Sequence, residues 1–237
     1  MASFSIAIQG VATRHQHHIR LEKELPRAKF AIDYRITRKV QYTWRAALEL
    51  ADPTADYHLI LQDDVTVCPD FEETVLKIIG NIKAACPVLP HLALYCPKRI
   101  IAEMRGSSVN FVRLMGGAWG QAHMYPVSRI QEFLEYDAAN FKPDWNTDDG
   151  RLEIWSMDTR EPIWATAPSL VQHLGANEST IGFSNKNKVA AWFAEESPLG
   201  MKWNPSLFVD GSASSLKSFA RKVQKGLRPE LVERLGL

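Results

Sequence analysis

The chain has 237 residues, of which 46% are hydrophobic and 23% charged. That suits one substantial core, or one core with a small appendage, and excludes a staple-dependent miniprotein or a wholly disordered chain. Lys and Arg number 28 against 27 Asp and Glu, a formal charge of +1, so the summed field does not recruit a polyanion and any nucleic-acid contact must be a local patch. Three cysteines with no CxxC pair indicate neither a disulfide framework nor a structural zinc site. A reducing, cytoplasmic setting is the simplest expectation, because no signal-peptide pattern and no run of about 18 apolar residues is present.

In chain order, Ser3 to Val11 reads as a buried strand entering a glycine-containing turn. A charged helix over His17 to Leu25 stops at Pro26, and Lys29 to Tyr34 reads as a second strand. Thr37 is placed to cap a helix in which Val40, Trp44, Ala47 and Ala51 recur at helical spacing. Asp56 to Leu61 is a third strand, and it delivers Gln62-Asp63-Asp64 at its carboxyl end, where open α/β sheets place ligand chemistry. Pro69 starts a helix with an apolar face of Phe71, Val75, Ile78, Ile79 and Ile82, and His91 to Tyr95 returns to the sheet. This alternation predicts a right-handed parallel β/α unit over the first hundred residues.

The pattern then changes. Asn110 to Met115 and Trp119 to Tyr125 read as strands on either side of Gly116-Gly117, followed by a helix from Pro126. A mixed sheet is the economical reading. Asp144 to Asp149 forms a polar bend before a helix over Arg151 to Met157, and Ile163 to Gln172 is extended around Pro168. Asn185 to Leu207 carries no strong periodicity, and Ser214 or Ser215 caps a last amphipathic helix.

The segment HLILQDDVTVCPDF, residues 58–71, resembles the strand-end acidic motif of nucleotide-sugar glycosyltransferases with the GT-A fold. Three later segments extend the resemblance in order: the glycine and tryptophan stretch Phe111 to Ile130, the bend Asn140 to Trp155, and Pro168 to Gly182 with His173. The first of these is also similar to sugar transferases of the lipopolysaccharide-modifying type. The resemblance covers Ser3 to about Ile181 and implies an α/β, GT-A-like nucleotide-binding sandwich with a mixed, predominantly parallel central sheet. The implied domain is 1–182, followed by a lid or partner-binding extension over 183–237.

The implied activity is hexosyl transfer from a nucleotide sugar, a UDP-sugar as leading donor, to an acceptor hydroxyl. By that resemblance Asp64 and His173 hold Mg²⁺ or Mn²⁺ on the donor diphosphate, while Asp63 contacts the nucleotide sugar or bound water. Gln62 stands where the first acid of a D-x-D motif would be. Thr13, Arg14, Asp33, Gln62, Asp63, Gly116 and Gly117 are the expected donor contacts, and Trp119 and Trp145 the expected sugar-stacking rings. An inverting transferase needs a base to take the acceptor proton, with Asp149 the first choice and Asp148 the second. Each acid has an ordinary alternative: Asp148 and Asp149 as helix caps, Asp63 and Asp64 as a solvated turn, His173 as an edge histidine bonded to backbone.

Two further readings remain beside inversion: a retaining transferase, and a noncatalytic nucleotide-sugar or glycan-binding domain. From Lys217 to Leu237 six Lys or Arg face two Glu. That basic helix is ranked first for intramolecular packing or homo-oligomerisation, second for the cytoplasmic face of a membrane, and third for modified nucleic acid.

Overall fold

The computed structural model describes residues 1–35, 39–117, 119–174, 189–211 and 216–236, without the side chains of 216–218. The expected helix cap at Thr37, the domain boundary at 182 and the caps at Ser214 and Ser215 lie outside the described residues.

Strands β1 (Phe4–Val11), β2 (Lys29–Asp33) and β3 (Tyr57–Gln62) form a parallel group, with β1 between the other two. They alternate with helices α1 (His15–Glu24) and α2 (Val40–Glu49). Ile6, Ala7, Ile8, Leu59, Ile60 and Leu61 are all buried, so these strands are covered on both faces and read as continuous apolar runs. Within the run, Gln9 is a buried polar interruption, facing Gln62 across the ladder.

After β3 the chain makes a short β4 (Val65–Val67), then α3 (Phe71–Ala85), whose buried Phe71, Val75, Ile78, Ile79 and Ile82 form the expected stripe. The next strand, β5, is only Leu92–Ala93. A short α4 (Arg99–Glu103) leads to β6 (Phe111–Leu114) and β7 (Ala122–Pro126). Helices α5 (Ile130–Asn140) and α6 (Asp149–Thr159) precede β8 (Ile163–Thr166) and β9 (Val171–His173).

The central sheet has eight strands in the order β10-β6-β8-β5-β7-β3-β1-β2, where β10 is Phe208–Asp210. β7 is antiparallel to both its neighbours, and β6 and β10 share its direction, so five of the eight strands run one way. The mixed, predominantly parallel α/β sandwich expected from the resemblance is the fold found. β6 and β7 are not hairpin partners, since β8 and β5 lie between them. Local sequence shows where strands begin and end but not which neighbours they pair with.

A second, two-stranded sheet joins β4 to β9 in antiparallel register, Val65 opposite His173. Beyond it, residues 189–211 return to the body: β10 pairs with β6, and Trp203 is buried in the core under the sheet. The tail forms α7 (Leu216–Val223) and α8 (Pro229–Arg234), and builds a third apolar cluster with α6 from Ala220, Leu227, Leu231, Ile154 and Met157. In this way the tail covers part of the body at α6.

Candidate active site

Two acidic centres stand side by side at the carboxyl ends of β1 and β3. The first is the turn after β3. Asp63 and Asp64 are 2% and 5% exposed, and one nitrogen of Arg14, Nη1, donates to Asp63 Oδ1 at 2.7 Å and to Asp64 Oδ2 at 2.8 Å. Asp63 Oδ2 also accepts the Val11 amide at 3.0 Å and lies 3.1 Å from His18 Nε2. The β1 turn is tight against this carboxyl: a Cβ at Gly10 would collide with Asp63. Arg14 and His18 are one helical turn apart at the start of α1, which is how both reach the same acid.

The β4–β9 pairing brings His173 to the other side. Its Nε2 is 3.4 Å from Asp64 Oδ2, and the Leu174 amide donates to the Asp64 carbonyl. Burial pushes the Asp64 carboxyl up, but the hydrogen bond from His173 and the charge of Arg14 outweigh it and hold the group below the usual carboxylate range. Arg14 is affected the opposite way: burial alone would lower it, and the two carboxylates raise it instead. Asp64 Oδ1 is buried with no hydrogen-bond partner.

That orphaned oxygen and the adjacent imidazole suit a hard divalent cation. Among the described residues no three His, Cys, Asp or Glu side chains come together as a metal-holding group. Asp64 and His173 would therefore supply two ligands. The rest of a Mg²⁺ or Mn²⁺ shell would fall to diphosphate oxygens and water, as is common when such ions bind with nucleotides.

The second centre opens α6. Asp148 is buried; its Oδ2 accepts Gln9 Nε2 at 2.7 Å and its Oδ1 accepts the Asp149 amide at 2.8 Å. Burial, reinforced by the neighbouring Asp149, pushes its carboxyl up to about 6. Asp149 is less deeply set, and its Oδ1 accepts Thr147 Oγ1 and the Gly150 amide, each at 2.7 Å. The capping alternative thus holds for part of each acid, and Asp148 is the more deeply buried of the two.

The preceding loop is fixed by a fully buried cation. Arg151 donates to the carbonyls of Thr147 at 2.9 Å, Lys142 at 2.9 Å and Trp145 at 2.6 Å, and pairs with buried Asp137 at 2.6 Å.

Gln62 and Gly120 join the centres. A Cβ at Gly120 would come within 3.0 Å of Asp148 and 3.1 Å of Gln62 Nε2, so both side chains close over that glycine. Gln121 Nε2 reaches Gln62 Oε1 at 3.4 Å, while Gln121 Oε1 and Gln9 Oε1 are buried without partners. Together with Asp64 Oδ1, these are three buried acceptors short of donors.

The glycine stretch runs antiparallel along α6. A Cβ at Gly116 would meet Met157, one at Gly117 would collide with Lys98 and approach Glu153, and one at Gly120 would meet Asp148. Gly116 and Gly117 have φ of +78° and +74°, a left-handed backbone that favours glycine. Glu153, one turn after Asp149, is driven up to about 8 by burial and by the Asp149 charge, against the pull of Lys98. Lys98 Nζ donates to the Gly116 carbonyl at 3.2 Å.

The other expected contacts are placed as follows. Thr13 is exposed in the turn before α1, and Asp33 ends β2 opposite Val11, its Oδ1 accepting the Arg35 amide. Trp119 is half-buried against the core under the sheet, next to Gly120. Trp145 is turned to the tail: its indole packs on Phe141 and Arg151, and the Gly226 backbone lies so close that a Cβ there would collide with the ring. The ring thus packs in part on the tail. Arg105 and Trp192 stack on each other, with the guanidinium carbon 5.7 Å from the ring centre.

Sequence reasoning passed over Gln9, Lys98 and Glu153. Gln9 had a signal, an amide within an apolar strand, and Glu153 another, its four-residue spacing from Asp149.

No protein-family model and no curated protein matches the chain. Among solved structures it is similar to a glycosyltransferase involved in the glycosylation of the major capsid of PBCV-1. The two share 11% identity over 73% of this chain and 94% of that one, with a TM-score of 0.33, a likeness that decides nothing about chemistry. No helix among the described residues is long and apolar enough to cross a membrane.

Proposed function

We propose that the protein is a metal-dependent glycosyltransferase that moves a hexosyl group from a nucleotide-sugar donor, a UDP-sugar, to an acceptor hydroxyl with inversion. The observation that carries this reading is the meeting of a charged centre and a buried base across one amide, Gln62. Arg14, Asp63, Asp64 and His173 form the diphosphate end. Bound there by Asp64 and His173, Mg²⁺ or Mn²⁺ would supply charge stabilisation for the departing diphosphate.

This chain's own residues do the rest. The orphaned acceptors Gln9 Oε1 and Gln121 Oε1 face a shortage of donors that sugar hydroxyls satisfy. Gln62 orients the sugar between the centres. Asp148, raised to about 6, is ionised at neutral pH yet basic enough to accept a hydroxyl proton as that oxygen attacks the anomeric carbon. Asp149 holds it through its amide, and Trp119 borders the sugar position.

The test is a donor and acceptor screen with Mg²⁺ and Mn²⁺, resolved by product mass and anomeric configuration. Inverted product that disappears in Asp148→Asn supports the proposal. Retained configuration, with product formation indifferent to Asp148→Asn, refutes the base.

A further inference from the structure

We propose that Arg14 is the resident counter-cation of the Asp63–Asp64 pair, and that it keeps divalent metal from binding until a nucleoside diphosphate draws it away. This rests on the donor reading above and adds an order of assembly to it.

A single guanidinium nitrogen bridges the two carboxylates at 2.7 and 2.8 Å. Adjacent buried carboxylates repel and lose hydration, so the pair is tolerated because a cation sits between them. The same oxygen that accepts from Arg14, Asp64 Oδ2, is the one beside His173 Nε2. A divalent ion taking Asp64 and His173 as ligands would stand next to the guanidinium, and the like charges repel at a separation where the site is shielded from solvent. Metal alone must therefore bind against the charge of the guanidinium.

A diphosphate changes the balance. It offers the planar guanidinium a bidentate partner, and it offers the metal further oxygen ligands. Arg14 is placed to make that move: it lies in the turn between β1 and α1, and its side chain is 14% exposed while the side chains of the acids it bridges are more deeply buried. The orphaned Asp64 Oδ1 is the acceptor that stays open in the meantime. Metal and diphosphate then bind with positive coupling, which by linkage is the same whichever arrives first.

The experiment is Mn²⁺ titration of the whole protein by electron paramagnetic resonance, with and without UDP. The wild type is expected to bind Mn²⁺ weakly alone and about 10-fold or more tightly with UDP, a factor corresponding to about 1.4 kcal/mol. Arg14→Gln is expected to bind Mn²⁺ alone about 10-fold more tightly than wild type and to lose most of the UDP enhancement. Arg14→Lys, which keeps the charge, is expected to stay near wild type. Adding Asp64→Asn to Arg14→Gln is expected to abolish the gained binding.

Where loss of Arg14 weakens the fold, the readout is the melting temperature, which Mn²⁺ is expected to raise more in Arg14→Gln than in wild type. Arg14→Gln binding Mn²⁺ no more tightly than wild type overturns the inference. A gain in Arg14→Gln with no effect of UDP on either protein upholds the counter-cation and overturns the donor reading, so the two failures are distinguishable.

Discussion

Asp148→Asn is expected to make the protein more stable and, if the base is correctly assigned, inactive. The carboxyl lies at about 6 in the folded protein against an ordinary 3.8, with burial and then the Asp149 charge as the causes. An acid raised on folding stabilises least when ionised. Below pH ~4 it is protonated in both states and costs nothing; as pH rises from ~4 to ~6 the unfolded chain ionises first, and folding loses about 3 kcal/mol. Above pH ~6 the whole penalty is present.

An asparagine has the same shape and never pays it. Its oxygen can keep the Asp149 amide, and its amino group can meet Gln9 Oε1, now an orphan, once the Gln9 amide turns over. Urea unfolding at pH 4, 5, 6 and 8 measures the difference. The variant is expected to match wild type at pH 4 and to exceed it by about 2 to 3 kcal/mol at pH 8. A gap that does not grow with pH, or a variant weaker than wild type at pH 8, would refute the assignment of a raised, buried carboxyl.

Glu153→Gln follows the same sign. Its carboxyl is held at about 8 against an ordinary 4.5, so the variant is expected to gain on the order of 3 kcal/mol over wild type between pH ~5 and pH ~8, read by the same unfolding series. Gly226→Ala drives a methyl into the Trp145 indole and is expected to cost about 2 kcal/mol, with loss of Trp145 fluorescence burial as the tail loosens. Arg151→Met leaves Asp137 buried with Arg45 as its remaining partner and frees three loop carbonyls. It is expected to destabilise by about 3 kcal/mol and to lower kcat more than it raises KM, because the loop it fixes carries Asp148 and Asp149.

The first β/α units were legible because their apolar runs and helical stripes are local and uninterrupted, as in β1 and α3. The small β4–β9 sheet was not, since three residues a strand leave no period to read. Yet that sheet is what sets His173 on Asp64. The sequence order of the acidic motif, the bend and the histidine foretold which groups would gather. It did not foretell that Arg14 would bridge the two acids, nor that the turn between α7 and α8 would press Gly226 against Trp145. Those depend on where a turn and a tail return in space. Gly116 and Gly117 were legible as a place for close backbone approach, and both have positive φ where the backbone nears α6 and Lys98.

The central claim is that the carboxyl ends of β1 and β3 hold a nucleoside diphosphate through Arg14, Asp64 and a divalent cation. Calorimetric titration of UDP in the presence of Mn²⁺ tests it most directly. The account predicts saturable one-site binding to wild type that weakens about 10-fold or more in Asp64→Asn while Asp148→Asn retains it. Binding by neither wild type nor Asp148→Asn, or equal binding by wild type and Asp64→Asn, would contradict it.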